Sequence, residues 1–231
     1  MTPRQGPKDG KPLPHTPVTL PQGDLDHFHI TATVHGNVVL LDVAGLPGNL
    51  PKTNGNTYAL WNTSSPLPTD TPLDIQPMPT DDQPSRFQFK YDFQPMNYAI
   101  TYQVGSAPDT MCAIAPLPLF PTMALGFPEN VSMQIRDLTT TQMVFQYTVL
   151  SGYPPATYGN WIGLWQGIQT NPGAVDPIAR ISVPDNQNTN ILTLTGLTLY
   201  ENFDYTLIFF MKSDADDPKR VSAGAALYFS T

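Results

Sequence analysis

The chain has 231 residues, a formal net charge of −8 and only 13% charged residues, with 40% hydrophobic residues and 26 prolines. The hydrophobic content argues against a disordered chain, and the recurring prolines argue against helix bundles and coiled coils, because proline interrupts a helix interior. Nucleic acid and anionic membrane surfaces bind clustered lysine and arginine, so this acidic composition predicts neither as a partner.

The first 23 residues form a segment of their own, rich in proline and with a local excess of positive charge. They predict a Pro-rich, flexible arm, which is either a solvated leader or a segment that docks on a partner subunit and so supports a homo-oligomer. No signal-peptide core and no membrane-spanning apolar run is visible. The protein is therefore expected to be cytoplasmic, or released without a classical signal peptide.

Two parts of the chain are similar at a fixed offset. Residues 55–61 read Gly-Asn-Thr-Tyr-Ala-Leu-Trp and residues 159–165 read Gly-Asn-Trp-Ile-Gly-Leu-Trp, an offset of 104. The similarity extends backwards to Leu46 and Leu150. It predicts two copies of one domain, residues 24–121 and residues 122–231, after the arm at residues 1–23.

Each copy consists of short apolar segments separated by turn-forming residues, which is typical of an immunoglobulin-like sandwich. The fold class is therefore predicted to be all-β: two tandem immunoglobulin-like antiparallel β-sandwiches with a Pro-rich N-terminal arm. Prolines 116, 118 and 121 are expected to end the last strand of the first copy and to form a stiff joint. The predicted strands are 28–34, 38–43, 57–62, 86–92, 97–104 and 111–115, then 131–135, 142–149, 160–166, 179–183, 190–194, 204–212 and 222–229.

The tryptophans are the main binding candidates. Side chains alternate across a strand, so if Ile162 and Leu164 face the core, Trp165 and its counterpart Trp61 face outward. An outward tryptophan is either covered by a loop or a neighbouring domain, or exposed to bind a sugar, a peptide or a protein. The candidate binding residues are Trp61, Trp165, Trp161 and Tyr158.

Tyr205 and Tyr98 each open a later apolar strand, in an arrangement similar to the tyrosine corner of immunoglobulin-like domains. Their predicted role is structural. The second copy also resembles the SKICH domain through three segments: Gly159-Asn160-Trp161-Ile162-Gly163-Leu164-Trp165, the strand 205–209, and the small residues Ala223-Gly224-Ala225. The resemblance covers most of residues 128–231, and residues 24–121 through the repeat. It implies an immunoglobulin-like, non-catalytic targeting or interaction module.

Residues that could support catalysis are sparse. His27 and His29 are predicted to lie on one face of a strand, where they are either solvated or two ligands for a transition metal. A third ligand, from His35, Asp24 or Asp26, would be needed. Cys112 is the only cysteine and lies in an apolar segment, so it is predicted to be a buried structural thiol. No catalytic residue and no cofactor is predicted.

The leading hypothesis is a non-catalytic binding or assembly protein that contacts a protein partner or a surface through its tandem domains. The alternative is a secreted bacterial effector or toxin component that binds a host surface or glycan. A third hypothesis is a metal-dependent hydrolase that uses His27 and His29.

Overall fold

The computed structural model describes residues 24–62, 67, 71–106, 108–117, 129–169, 172–173 and 175–231. The predicted arm at residues 1–23 and the predicted boundary between residues 121 and 122 lie outside this range, as do Pro118 and Pro121. The domain limits therefore stay predictions. None of the described segments forms a helix that is long and apolar enough to cross a membrane.

The first repeat begins with strand β1 and ends with strand β8. Its elements are β1 (Asp24–His27), β2 (His29–His35), β3 (Val38–Ala44), β4 (Thr57–Asn62), β5 (Asp74–Pro77), β6 (Ser85–Lys90), β7 (Tyr98–Gln103), a 3₁₀ turn (Pro108–Thr110) and β8 (Met111–Leu117). β8 continues through Pro116, which lies opposite Ala99 of β7. The prediction that Pro116 ends this strand is wrong, because a proline next to a strand end removes only one donor and leaves the pairing in place.

The second repeat has the same order of strands. They are β9 (Glu129–Asn130), β10 (Ser132–Leu138), β11 (Gln142–Thr148), β12 (Trp161–Gln166), β13 (Ala179–Ser182), β14 (Thr189–Thr195), β15 (Asp204–Phe210) and β16 (Ala223–Ser230). Every predicted strand is confirmed: β4 has the predicted ends, and the others have shifted ends. β1, β5 and β9 were not predicted.

Each repeat forms two antiparallel sheets that face each other. In the first, β2-β3-β6 packs on β5-β4-β7-β8, and in the second, β10-β11-β14 packs on β13-β12-β15-β16. Aromatic contacts join the layers: the ring centroids of Tyr58 and Phe87 lie 4.9 Å apart, and those of Tyr147 and Phe209 lie 5.6 Å apart. This architecture is all-β and confirms the predicted pair of immunoglobulin-like sandwiches.

The two repeats exchange edge strands. β1 pairs with β16, with His27 opposite Ala225, and β9 pairs with β8, with Asn130 opposite Ala113. A single fully buried residue, Phe28 or Val131, separates each exchanged strand from the next strand of its own repeat. Each five-stranded sheet is therefore completed by a strand that the other repeat supplies.

Two local predictions about the core are confirmed. The backbone N–H of Gln94 donates to the Tyr98 hydroxyl oxygen at 2.9 Å, and that of Tyr200 donates to the Tyr205 hydroxyl oxygen at 2.8 Å, so both repeats have a tyrosine corner. Cys112 is a free, fully buried thiol, and this burial raises its pKa well above the usual value.

Candidate binding surface

The second-repeat tryptophans lie on the outer face of β12, as predicted, but they are not exposed. Trp165 is 1% exposed and Trp161 5% exposed. The Trp165 indole Nε1 donates to the Val175 carbonyl at 2.9 Å, so the loop between β12 and β13 covers this ring. Both rings close over Gly163, where a Cβ atom would lie 2.4 Å from Trp165 and 2.9 Å from Trp161. The expectation that these residues are surface candidates is therefore wrong.

Arg220 closes this cluster from the loop before β16. Its guanidinium carbon lies 6.0 Å from the centre of the Trp161 ring, and its nitrogens pair with Asp176 at 2.9 Å and with Asp214 at 3.1 Å. It also donates to the Val175 carbonyl at 2.6 Å. Arg220, which is mostly buried, therefore connects two loops to Trp161. This role was not predicted, because Arg220 lies far from Trp161 in the sequence.

Trp61 and Tyr158 are no better placed for contact. Trp61 is 1% exposed, and its Nε1 donates to the Thr101 hydroxyl at 2.8 Å. Tyr158 is partly buried and packs edge-on against Tyr153 with a centroid distance of 5.1 Å. Both faces of β4 are buried, so Trp61 is covered and is not a surface candidate.

His27 and His29 do not share a strand face, so that prediction is wrong too. His27 ends β1 in one sheet and His29 begins β2 in another, because the chain changes sheets at the buried Phe28. Partial burial, followed by the nearby His29, lowers the pKa of His27. Within the described ranges, no group of three or more His, Cys, Asp or Glu residues is arranged to hold a metal ion.

A different surface combines exposure with rigidity. Ile168, Tyr200 and Phe203, here called the terminal patch, are 67%, 55% and 45% exposed. The rings of Tyr200 and Phe203 have centroids 5.8 Å apart. The Gly167 N–H donates to the Asp204 carbonyl at 2.6 Å, which brings the start of the β12–β13 loop beside the turn that carries the rings. The two rings form an exposed apolar area at the end of the second sandwich, and Ile168 is exposed on the adjacent loop.

Hydrogen bonds hold the turn at residues 200–203. The tyrosine corner fixes the Tyr200 backbone, and the Thr231 hydroxyl donates to the Tyr200 carbonyl. The Thr231 N–H donates to the Phe203 carbonyl at 3.1 Å, and the Asn202 N–H to the Thr231 carbonyl at 2.6 Å. Asn202 has φ 61°, a left-handed conformation that asparagine tolerates better than most residues. The two rings are therefore presented by a backbone that is already ordered.

The first repeat provides an internal comparison. When the tyrosine corners are aligned, Phe93 and Met96 correspond to Tyr200 and Phe203. Phe93 is partly buried against Tyr98 with a centroid distance of 5.0 Å, and Met96 also packs on the core. Only the second repeat turns these side chains outward. The sequence difference that accompanies this change lies just before the corner tyrosine: the first repeat has Phe-Gln-Pro-Met where the second has Tyr-Glu-Asn-Phe. The offset of 104 residues did not draw attention to this difference.

No protein-family model matches the chain, and no curated protein matches its sequence. Among solved structures, the human OSCAR ligand-binding domain is 11% identical, with 80% of this chain and 90% of that chain covered and a TM-score of 0.21. The BSP domain of a biofilm-associated protein is 13% identical, with 80% and 26% covered and a TM-score of 0.23. At these scores neither structure bears on function, and the fold assignment rests on the strand order of the chain itself.

Proposed function

We propose that the chain is a non-catalytic binding protein whose tandem immunoglobulin-like domains contact a protein partner through the terminal patch. The observation that carries this proposal is the pair of exposed rings, Tyr200 and Phe203, on a turn held by backbone hydrogen bonds. Aromatic side chains dominate the energetics of protein interfaces. A turn that is ordered before binding loses little entropy when the partner arrives.

The charge around the patch defines the class of partner. Glu201 lies between the two rings in sequence and is exposed, and Asp204 follows Phe203 and is exposed as well. An acidic rim around an apolar centre is complementary to a surface that has lysine or arginine around an apolar pocket. The resemblance of the second repeat to SKICH domains supports the same role, an interaction module without its own chemistry.

The test compares three baits in an extract of cells that express the protein: the unchanged chain, a Tyr200→Ser/Phe203→Ser variant, and an Ile75→Ser control. Ile75 is 40% exposed on β5, so its replacement removes exposed apolar surface far from the patch in sequence. We expect the partner to be retained by the unchanged chain and the control.

Loss of a central aromatic residue from an interface typically weakens binding by about 2 kcal/mol or more, which is roughly 30-fold in Kd. We therefore expect the double variant to bind the isolated partner at least that much more weakly in a titration. Equal unfolding temperatures of the three proteins would show that the fold is intact. Binding of the partner by the double variant with unchanged Kd would contradict the proposal.

A further inference from the structure

The sheet β10-β11-β14 ends in an unusual edge strand. β14 has seven residues, Thr-Asn-Ile-Leu-Thr-Leu-Thr, with neither a charged side chain nor a proline. Among the described strands, it pairs with β11 alone. An edge strand of this length and composition can accept another strand, because most of its outward N–H and C=O groups have no partner among the described residues.

The register shows which backbone groups of β14 face outward. The Val149 N–H donates to the Asn188 carbonyl at 2.8 Å, and hydrogen-bonded pairs alternate in an antiparallel ladder. Asn190, Leu192 and Leu194 therefore bond to β11. The backbone groups of Thr189, Ile191, Thr193 and Thr195 point to the free edge, where the Ile191 N–H is taken by the Asn190 side-chain oxygen at 2.7 Å.

The other outer edges of the described sheets carry features that discourage strand addition. β1 contains two aspartates, and β9 has only two residues, one of which is Glu129. β5 has four residues and ends in Pro77. β13 also has four residues and includes Arg180. β6, which is the equivalent of β14 in the first repeat, carries Arg86 and Lys90 on its exposed face. The edges of β2 and β10 lie at the junction of the two repeats, in contact with β8 and β16.

The outer face of β14 is also apolar for an exposed surface. Ile191 is 56% exposed at the middle of the strand, with exposed threonines on both sides. The facing residues on β11 are Gln146 and Val144, which carry no charge. Pairing two β14 edges therefore places no like charges next to each other.

We propose that two copies of this chain associate by antiparallel pairing of their β14 strands, which joins their three-stranded sheets into one continuous six-stranded sheet. The register centred on Leu192 places Thr189 opposite Thr195 of the second copy and Ile191 opposite Thr193 of the second copy. In this register outward-facing residues meet outward-facing residues, as the hydrogen-bonding pattern requires. The Asn190 side chain must release the Ile191 N–H before that N–H can donate to Thr193 of the second copy. Pairs of threonines are among the favourable cross-strand pairs.

A second copy fits this edge for a specific reason. The strand has threonines at both ends and one exposed apolar residue near its centre, so it is similar when reversed, and a two-fold axis matches the edge with itself. Because β14 is uncharged, nothing in it selects a partner of opposite charge. This inference uses a different surface from the terminal patch and does not depend on the proposed partner.

The experiment is sedimentation velocity of the full chain over a range of concentrations, with two proline variants. Thr193→Pro removes an N–H that points to the free edge, so the fold tolerates the change while the added strand loses a donor and meets the proline ring. Gln88→Pro places proline on the outward side of β6, because the Tyr91 N–H donates to the Asn37 carbonyl and so assigns Gln88 to the free edge. It is the matched control.

We expect the unchanged chain and Gln88→Pro to convert from a 25.4 kDa monomer to a dimer with the same dissociation constant. We expect that constant to rise at least tenfold for Thr193→Pro. In hydrogen exchange, the amides of Thr193 and Thr195 should become more protected as the concentration of the unchanged chain rises. A monomer at every concentration, an unchanged dissociation constant in a folded Thr193→Pro, or exchange at these amides that does not depend on concentration would overturn the proposal. A dimer with exchange protection elsewhere would assign association to another surface.

Discussion

Replacement of Gly163 by alanine tests how tightly the Trp161 and Trp165 rings pack over this glycine. The added Cβ would lie 2.4 Å from the Trp165 ring and 2.9 Å from the Trp161 ring. Neither ring is free to move: Trp161 stacks on Phe210 with a centroid distance of 4.4 Å, and Trp165 is bonded to the Val175 carbonyl. An overpacked core site loses about 1–3 kcal/mol, and alanine regains roughly 0.5–1 kcal/mol over glycine in a strand.

A contact of 2.4 Å belongs at the upper end of the overpacking range, so the expected net loss is about 2 kcal/mol of unfolding free energy, or roughly 4–8 °C in Tm for a chain of this size. Urea and thermal unfolding followed by circular dichroism measure it. The equivalent position in the first repeat is Ala59, where Thr57 stands in place of Trp161. The same Gly163→Ala change should therefore cost less in a Trp161→Thr background, where the Trp165 ring has space to move. Full stability of Gly163→Ala, or the same loss in both backgrounds, would refute this explanation.

Three further predictions concern individual side chains. Tyr205→Phe removes the acceptor of the Tyr200 N–H and should lower the unfolding free energy by about 1–2 kcal/mol, measured in urea; an unchanged stability would show that the tyrosine corner contributes nothing. Burial raises the pKa of Tyr228 to about 12, so the folded state keeps a proton that the unfolded state loses, and stability should fall as pH rises from about 10. Tyr228→Phe should make that fall in Tm shallower, and an identical pH profile would contradict the assignment. Cys112, buried with a raised pKa, should react with a disulfide reagent only as fast as the chain opens; rapid reaction without denaturant would contradict its burial.

Short apolar segments between turn-forming residues were sufficient to predict most strands. β3 and β11 alternate core and surface residues, whereas β4, β8 and β15 are buried along nearly their whole length. β5 escaped prediction because only a four-residue ladder with β4 defines it, and Leu73 before it and Ile75 within it are both exposed. β1 and β9 escaped prediction for another reason. Their hydrogen-bonding partners belong to the other repeat, and the pattern within one repeat contains no information about that pairing.

The site predictions failed where loops decide exposure. The alternation along β12 correctly placed Trp165 on the outer face, but the cover comes from Val175, and Arg220 joins the same cluster from much later in the chain. The terminal patch was missed because its residues lie in turns, where periodicity carries no signal. Comparison of the two repeats position by position around Tyr98 and Tyr205 would have identified it.

The exchange of edge strands also affects how the chain can be made. β1 and β16 are separated by about 200 positions along the sequence, and contacts between such distant segments close late in folding. β1 therefore has no pairing partner until β16 has left the ribosome. This holds even if the rest of the first repeat has already packed. During that interval β1 must stay available and unpaired, and a nascent chain stalled before Ala223 would expose a strand with no partner.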